Sequence, residues 1–459
     1  MICTKTRLLP PSEDAAVSAA VKSSFSKSYG AIQMKADKIR LFSVGTPPMR
    51  AFHMTWLAFF LCFFGWFGLA PLMPLVRADL HLTPAQVANS VIASVAGTIF
   101  ARLLVGYLCD KLGPRRVYAG LLALGALPIM GVGLVHGYAA FMVCRVLIGL
   151  VGASFVITQY HTSAMFAPNV VGTANATTAG WGNLGGGVAQ MLMPVVAMGL
   201  VGLGIAQGDS WRYAMIVPGA LMLVMSVLYL RFTQDSPESK EAKAVTGKSK
   251  GSLLEAARDP RVWALFVGYG ACFGVELTIH NIAASYFHDR FQLGLKAAGM
   301  LAGSFGVLAI FARSLGGYLG DRAGRRFGLD GRGRFLTAML LAEGMGLIAF
   351  SRMNAVVPAA ILLITFGLFV HVAAGATYSV VPFIKPDGVG AVAGIVGAGG
   401  NVGAVLAGLL FRGNAGSTQT GLLWLGGSVM AAAALAAMIR FGRNELAAET
   451  PNVAAVAAE

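Results

Sequence analysis

The chain has 459 residues, of which 56% are hydrophobic and 12% charged, and its mean hydropathy is +0.70. A water-soluble domain carries about 25% charged residues, so the composition excludes a soluble enzyme or binding module and points to helices in lipid. The net charge of +15 does not mark a nucleic-acid binder, because the basic residues sit in short loops beside apolar runs rather than on one folded face.

Residues 1–50 are polar and rich in Ser, Lys and Ala. They read as a cytosolic tail, since Glu13, Asp14 and Asp37 speak against a transit peptide. Twelve apolar runs follow, near 53–76, 87–108, 115–135, 138–165, 171–201, 212–232, 261–287, 295–320, 334–351, 355–383, 389–411 and 420–441. Each is read as one helix crossing a bilayer. With these spans, 26 of the 35 Lys/Arg lie on the side of the termini, six on the other side and three inside helices. That asymmetry predicts cytosolic termini. The longest polar break, 233–260, separates a six-helix unit over 51–232 from a second over 261–442, with a short cytosolic tail at 443–459.

One phrase occurs twice. Residues 100–113 read Phe-Ala-Arg-Leu-Leu-Val-Gly-Tyr-Leu-Cys-Asp-Lys-Leu-Gly, and residues 311–324 read Phe-Ala-Arg-Ser-Leu-Gly-Gly-Tyr-Leu-Gly-Asp-Arg-Ala-Gly. A second pair matches 179–187, Ala-Gly-Trp-Gly-Asn-Leu-Gly-Gly-Gly, with 397–403, Gly-Ala-Gly-Gly-Asn-Val-Gly. Arg102 and Arg313 are 211 positions apart, Asn183 and Asn401 are 218 apart. Two motifs at nearly one offset predict an all-α membrane protein: two pseudo-symmetric six-helix bundles around a central cavity.

Arg102 and Arg313 lie inside helices, where a central arginine costs roughly 2.5–3.5 kcal/mol on insertion scales. No acid lies within four residues of either on its own span, so both are expected to face the shared cavity and bind an anion. A guanidinium offers a planar fork of donors that suits a small planar oxyanion. In span 5, Gly180, Gly182 and Gly186 flank Asn183; in span 11, Gly397, Gly400 and Gly403 flank Asn401. Such glycines permit close helix packing and equally leave backbone exposed along a substrate path; both readings stand.

Tyr269, Phe273, Glu276 and His280 share one face of span 7 by spacings of four, three and four. Glu276 either carries a proton or neutralises an arginine such as Arg145. His280 is expected near the surface. Phe155 in span 4 is a candidate cavity wall. Glu343 in span 9 is expected in a packing pair. The loops holding Asp110 and Arg115, and Asp321 and Arg326, are expected to tie cytosolic helix ends by charge pairs that break when the molecule changes state. The five cysteines lack metal-ligand spacing, and neither a metal, a cofactor nor an enzyme's nucleophile–base pair is expected.

The repeated Gly-x-x-x-Asp-[Lys/Arg]-x-Gly motifs resemble the major facilitator superfamily, as does Arg145-x-x-x-Gly149. The segments 179–187 and 397–403 resemble the paired signatures of its nitrate/nitrite porter family. Met49-Arg50-Ala51-Phe52-His53, 273–278 and Val381-Pro382-Phe383 are similar to the eukaryotic branch, the high-affinity nitrate transporters of plants, algae and fungi. The resemblance covers about residues 48–442. It implies that Arg102 and Arg313 hold the substrate, that Tyr269 hydrogen-bonds it, and that Phe155 and Phe273 sandwich it. It further implies proton-coupled symport of nitrate, often also nitrite, by alternating access at the plasma membrane in nitrate assimilation, and for plant and algal members a small single-span accessory protein. Ala374 stands where close relatives often carry an acid. From the residues alone, a carrier of another small anion or a nitrate sensor remains an alternative.

Overall fold

The computed structural model describes residues 35–167, 170–235, 250–385, 389–413 and 417–441. Residues 1–34 of the expected tail at 1–50, the expected tail at 443–459, and residues 236–249 of the 233–260 break lie outside the described residues. Among the described residues, twelve helices long and apolar enough to cross a membrane follow in chain order. They are α1 (Pro47–Asp79), α2 (Pro84–Leu112), α3 (Pro114–Leu134), α4 (Tyr138–Met165), α5 (Val171–Gly202) and α6 (Ser210–Phe232). The second set is α7 (Pro260–Phe291), α8 (Leu295–Phe327), α9 (Leu329–Ser351), α10 (Val356–Ile384), α11 (Ala391–Arg412) and α12 (Thr418–Ala436). In hydrocarbon every backbone group needs an internal partner, and a helix supplies it within one segment.

Local sequence sets the helix ends. Thr83 caps α2 in a reciprocal pair with Gln86, ahead of Pro84 at the first helical position. Asp259 caps α7 by accepting from the Arg261 backbone N–H at 2.8 Å, again ahead of a proline. The segments expected as gating loops are mostly helical. Asp110 lies in the last turn of α2, and the α8 helix runs on through Asp321 and Arg326 to Phe327. Single glycines in the positive-φ region make the turns instead, Gly113 at φ 85° and Gly328 at φ 71°. Lys111 lies in the last turn of α2, and Arg325 and Arg326 in that of α8, where cations are favourable. The 233–260 break likewise contains a short helix, Lys250–Arg258.

Packing repeats between the halves. In the first, α1 packs on α5, α3 on α6 and α2 on α4; in the second, α7 packs on α11, α9 on α12 and α8 on α10. The two halves meet where α2 crosses α11 and α5 crosses α8. Large apolar side chains on the perimeter, such as Phe100, Leu103, Leu124, Val227 and Trp424, are exposed. That outward-facing apolar surface suits a hydrocarbon surround.

The halves are joined on the side away from the termini, called here the far side. Arg77 at the end of α1 holds both carboxylate oxygens of Asp289 at the end of α7, at 2.9 and 3.0 Å. Deeper, Arg145 donates to Asn281 at 3.1 Å, and Gln190 donates to the His280 carbonyl. On the termini side, the ion pair Asp321–Arg332 joins α8 to α9, and Glu255–Lys385 ties the short helix Lys250–Arg258 to the end of α10.

Candidate substrate site

At the level where the halves cross, both intrahelical arginines approach one aromatic ring. The Arg102 guanidinium carbon lies 5.8 Å from the centre of Phe273 and 5.5 Å from that of Phe155. The Arg313 carbon lies 5.3 Å from the Phe273 centre. Tyr269 stacks on Phe273 with centres 5.2 Å apart and planes 10° from parallel. The α7 face predicted from spacing is therefore present, and the arginines, Phe155, Phe273 and Tyr269 come together as one cluster. Positive charge over aromatic faces is favourable by about 0.5–2 kcal/mol per contact.

The arginines are held differently. Arg102 reaches across to the other half, donating to the Gly397 carbonyl at 3.1 Å. With the Asn401 amide turned so that its oxygen faces the arginine, that oxygen accepts from Arg102 at 2.8 and 3.3 Å. Arg313 stays in its own half, where it donates to Glu276 at 2.5 Å. The sequence placed no acid near Arg313 because its partner comes from another helix, 37 positions away. Of the two alternatives for Glu276, an arginine partner is present, but it is Arg313, while Arg145 bonds Asn281. Each central arginine keeps an unpartnered buried donor, Nη2 on Arg102 and Nε on Arg313.

Residues from α10 complete the cluster, and the sequence reading did not single them out. His371 is buried, with Nδ1 3.4 Å from Glu276 and Nε2 3.2 Å from the Phe305 carbonyl. Tyr378 meets Tyr269 edge-on at 5.2 Å. His371 and Tyr378, seven apart in a 29-residue helix whose other polar residues are Thr365, Thr377 and Ser379, were the available signal, since that spacing puts them on one face. Ala374 is buried on the same helix.

The signature glycines divide between packing and the site. A side-chain carbon on Gly400 would strike Phe273 and lie 3.0 Å from Tyr269, so this glycine admits the aromatic wall. Gly403 faces the Gly270 carbonyl where α11 crosses α7, Gly182 faces the Phe59 ring, and Gly180 faces the Ala309 carbonyl across the halves. Gly186 lies against the His280 ring. Asn183, the counterpart of Asn401, is fully buried with both amide atoms unpartnered.

Other expectations are corrected. His280 is not near the surface: it is 1% exposed, between the rings of Phe67 and Phe305. Glu343 is buried, but neither carboxylate oxygen has a hydrogen-bond partner, so it makes no packing pair. Asp321 pairs with Arg332 of α9, and Arg115 donates to the Leu230 carbonyl while its backbone N–H donates to Asp235. Arg326 stacks on Phe327 at 5.5 Å. These contacts lie within halves. Outside the spans, Lys385 holds the Glu255 carboxyl below its usual value of 4.5. Burial raises the Asp259 carboxyl, and hydrogen bonds from Arg261 outweigh it, so its net shift is downward.

A model of the Major Facilitator Superfamily matches residues 55–408. High affinity nitrate transporter 2.5 of Arabidopsis thaliana is 40% identical over 82% of this chain and 76% of its own length. Nitrate transporter 2.2 of Chlamydomonas reinhardtii is 36% identical over 81% of this chain and 74% of its own. The nitrate/nitrite transporter NrtP of Nostoc punctiforme is 28% identical over 78% and 85%. Among solved structures, a bacterial homologue of the human lysosomal transporter Spinster superposes with a TM-score of 0.70 at 14% identity, covering 86% of this chain and 97% of its own. A D-xylose–proton symporter does so with a TM-score of 0.62 at 14% identity, covering 84% and 96%. Twelve spans, two packed halves that repeat each other and these matches make the chain a multi-pass membrane transporter of the major facilitator superfamily, in its nitrate/nitrite porter family.

Proposed function

We propose that this chain imports nitrate, and accepts nitrite, by proton-coupled alternating access at the plasma membrane, with both termini in the cytosol. The observation that carries the reading is the pair of spare buried guanidinium donors, one on Arg102 and one on Arg313, flanking the Phe273 ring. A flat oxyanion lying between Phe155 and Phe273 would take those donors, with Tyr269 as a further donor. Relatives of at least 35% identity that carry the name nitrate transporter favour nitrate among such anions.

The Arg313–Glu276 pair supplies a route to coupling. An ionised Glu276 competes with the anion for the fork of Arg313. A proton on Glu276, exchanged with His371 beside it, removes that competition, so proton and anion bind in concert. The proton also answers the electrical cost of importing an anion, about 2.3 kcal/mol per charge per 100 mV. The anion then screens the two arginines from each other, and the halves can close on it. A small single-span accessory protein of the kind used by plant and algal members belongs to this reading as a partner.

Two-electrode recording in oocytes tests it, with the chain alone and with such an accessory protein. Nitrate should evoke an inward current at pH 5.5 that shrinks at pH 7.5. The Glu255–Lys385 tie does not contribute to that change. Its carboxyl is depressed, so its stabilisation is present above the usual carboxylate range and is lost only as pH falls below about 4.5. Absence of nitrate current and of labelled nitrate uptake under both conditions would refute the assignment.

A further inference from the structure

A third arginine lies inside the spans and outside the central cluster. Arg145 of α4 is 1% exposed. Its Nε donates to the Ser90 carbonyl of its own half at 3.2 Å, and its Nη2 donates to the Asn281 side-chain oxygen of the other half at 3.1 Å. Its Nη1 is buried and unpartnered. Its hydrogen-bond partners are thus a carbonyl and a neutral amide, with no carboxylate to balance the charge. A buried guanidinium in that setting is costly as pure structure.

Its position suggests what balances it. Asn281 lies eight residues beyond Phe273 on α7, about 12 Å toward the far side. The same level holds Gln190, whose side-chain oxygen is unpartnered, and His280, whose ring nitrogens are both unpartnered. Arg145 and Gln190 belong to the first half, and Asn281 and His280 to the second. This polar layer lies in the seam that must part when the far side opens.

We propose that Arg145 is an outer oxyanion site on the access path to the central arginines. Asn281 occupies its fork while the far side is closed. When the halves separate there, Asn281 leaves with α7, and Ser90 keeps the Arg145 side chain aimed into the opened seam. Nη1 and Nη2 then present two donors to a small planar oxyanion before it reaches Arg102 and Arg313. The inference rests on the nitrate reading above and adds a binding step to it. Among the described residues no carboxylate bonds Arg145, and one that did would keep the far side shut and repel the substrate.

The test is labelled nitrate transport in oriented proteoliposomes, with half-saturation measured separately from each face. Arg145→Gln should raise half-saturation from the far face by about tenfold, the scale of a lost charge-assisted bond, and leave the value from the termini face within about twofold. Arg145→Lys, which keeps the charge without the fork, should show a smaller rise on the far face alone. Asn281→Ala should lower the far-face value or leave it unchanged, since it empties the fork. An unchanged far-face value in Arg145→Gln would overturn the site, as would an equal rise on both faces. If Arg145→Gln does not fold, Arg145→Lys without a far-face rise, or Asn281→Ala with one, overturns it. Wild-type vesicles run alongside: no nitrate transport in them refutes the nitrate reading itself, whereas normal wild-type transport with unaltered variants refutes the outer site alone.

Discussion

Arg313 and Glu276 form an ion pair almost sealed from solvent, with side chains 7% and 0% exposed. Removing one member of such a pair leaves an uncompensated charge, an effect of roughly 3–5 kcal/mol. Glu276→Gln should therefore lower the melting temperature of the purified protein. Nitrate should restore more of that loss than it adds to the wild type, because the anion supplies the missing counter-charge. The same variant should transport nitrate without stimulation by acid. A wild-type pH profile in Glu276→Gln would remove Glu276 from the coupling scheme. The arginines were legible in the sequence because a charge in an apolar run stands out at once. The partner of Arg313 was not, since Glu276 reaches it from a different helix and no pattern along either helix encodes that crossing. His371 and Tyr378 were visible as polar interruptions of α10, but only the fold brings that face to Glu276 and Tyr269.

At the scale of helices, glycine decides how closely elements approach. At Gly403 a side-chain carbon would run into the Gly270 carbonyl, where neither backbone can give way, whereas Gly394 on the same helix has open space around it. Gly403→Val should destabilise the α7–α11 crossing by about 1–3 kcal/mol, as overpacking does, and depress transport by displacing Tyr269 and Phe273. Gly394→Ala should stay within about 0.5 kcal/mol of wild type. Thermal melts of the two variants check this, and equal effects would contradict the crossing geometry. The spans themselves could be placed from sequence within several residues, because a long apolar run in lipid has one stable solution. The largest departure was at α8, where the charged stretch 321–326 was expected as a loop and instead continues the helix to Gly328. Charge density suggested a break, but the positive-φ glycine is what makes one.

Across the whole molecule, the far-side contacts define one member of a pair of states. Arg77 and Asp289 sit about 40% exposed at opposite edges of the seam. An exposed pair is worth only about 0.2–1 kcal/mol, so it biases the closure without locking it. Neutralising either residue should shift the population modestly toward far-side opening. The double variant Arg77→Cys, Asp289→Cys, bridged by a bifunctional methanethiosulfonate reagent that spans the length of the lost ion pair, should stop transporting, and reduction of the bridge should restore transport. Full transport by the cross-linked protein would show that the seam does not open there. The two-half architecture was legible from the paired motifs, whereas the side on which the halves meet was not, because a repeat specifies both states equally.

The most direct test of the central claim is labelled nitrate binding and uptake with purified wild type, Arg102→Lys and Arg313→Lys in proteoliposomes. Lysine keeps each charge but loses the planar fork, so both variants should fold, lose saturable uptake and bind nitrate at least about tenfold more weakly, the scale of one charge-assisted bond. Wild-type affinity and full-rate uptake in either variant would contradict the placement of the substrate between the two arginines.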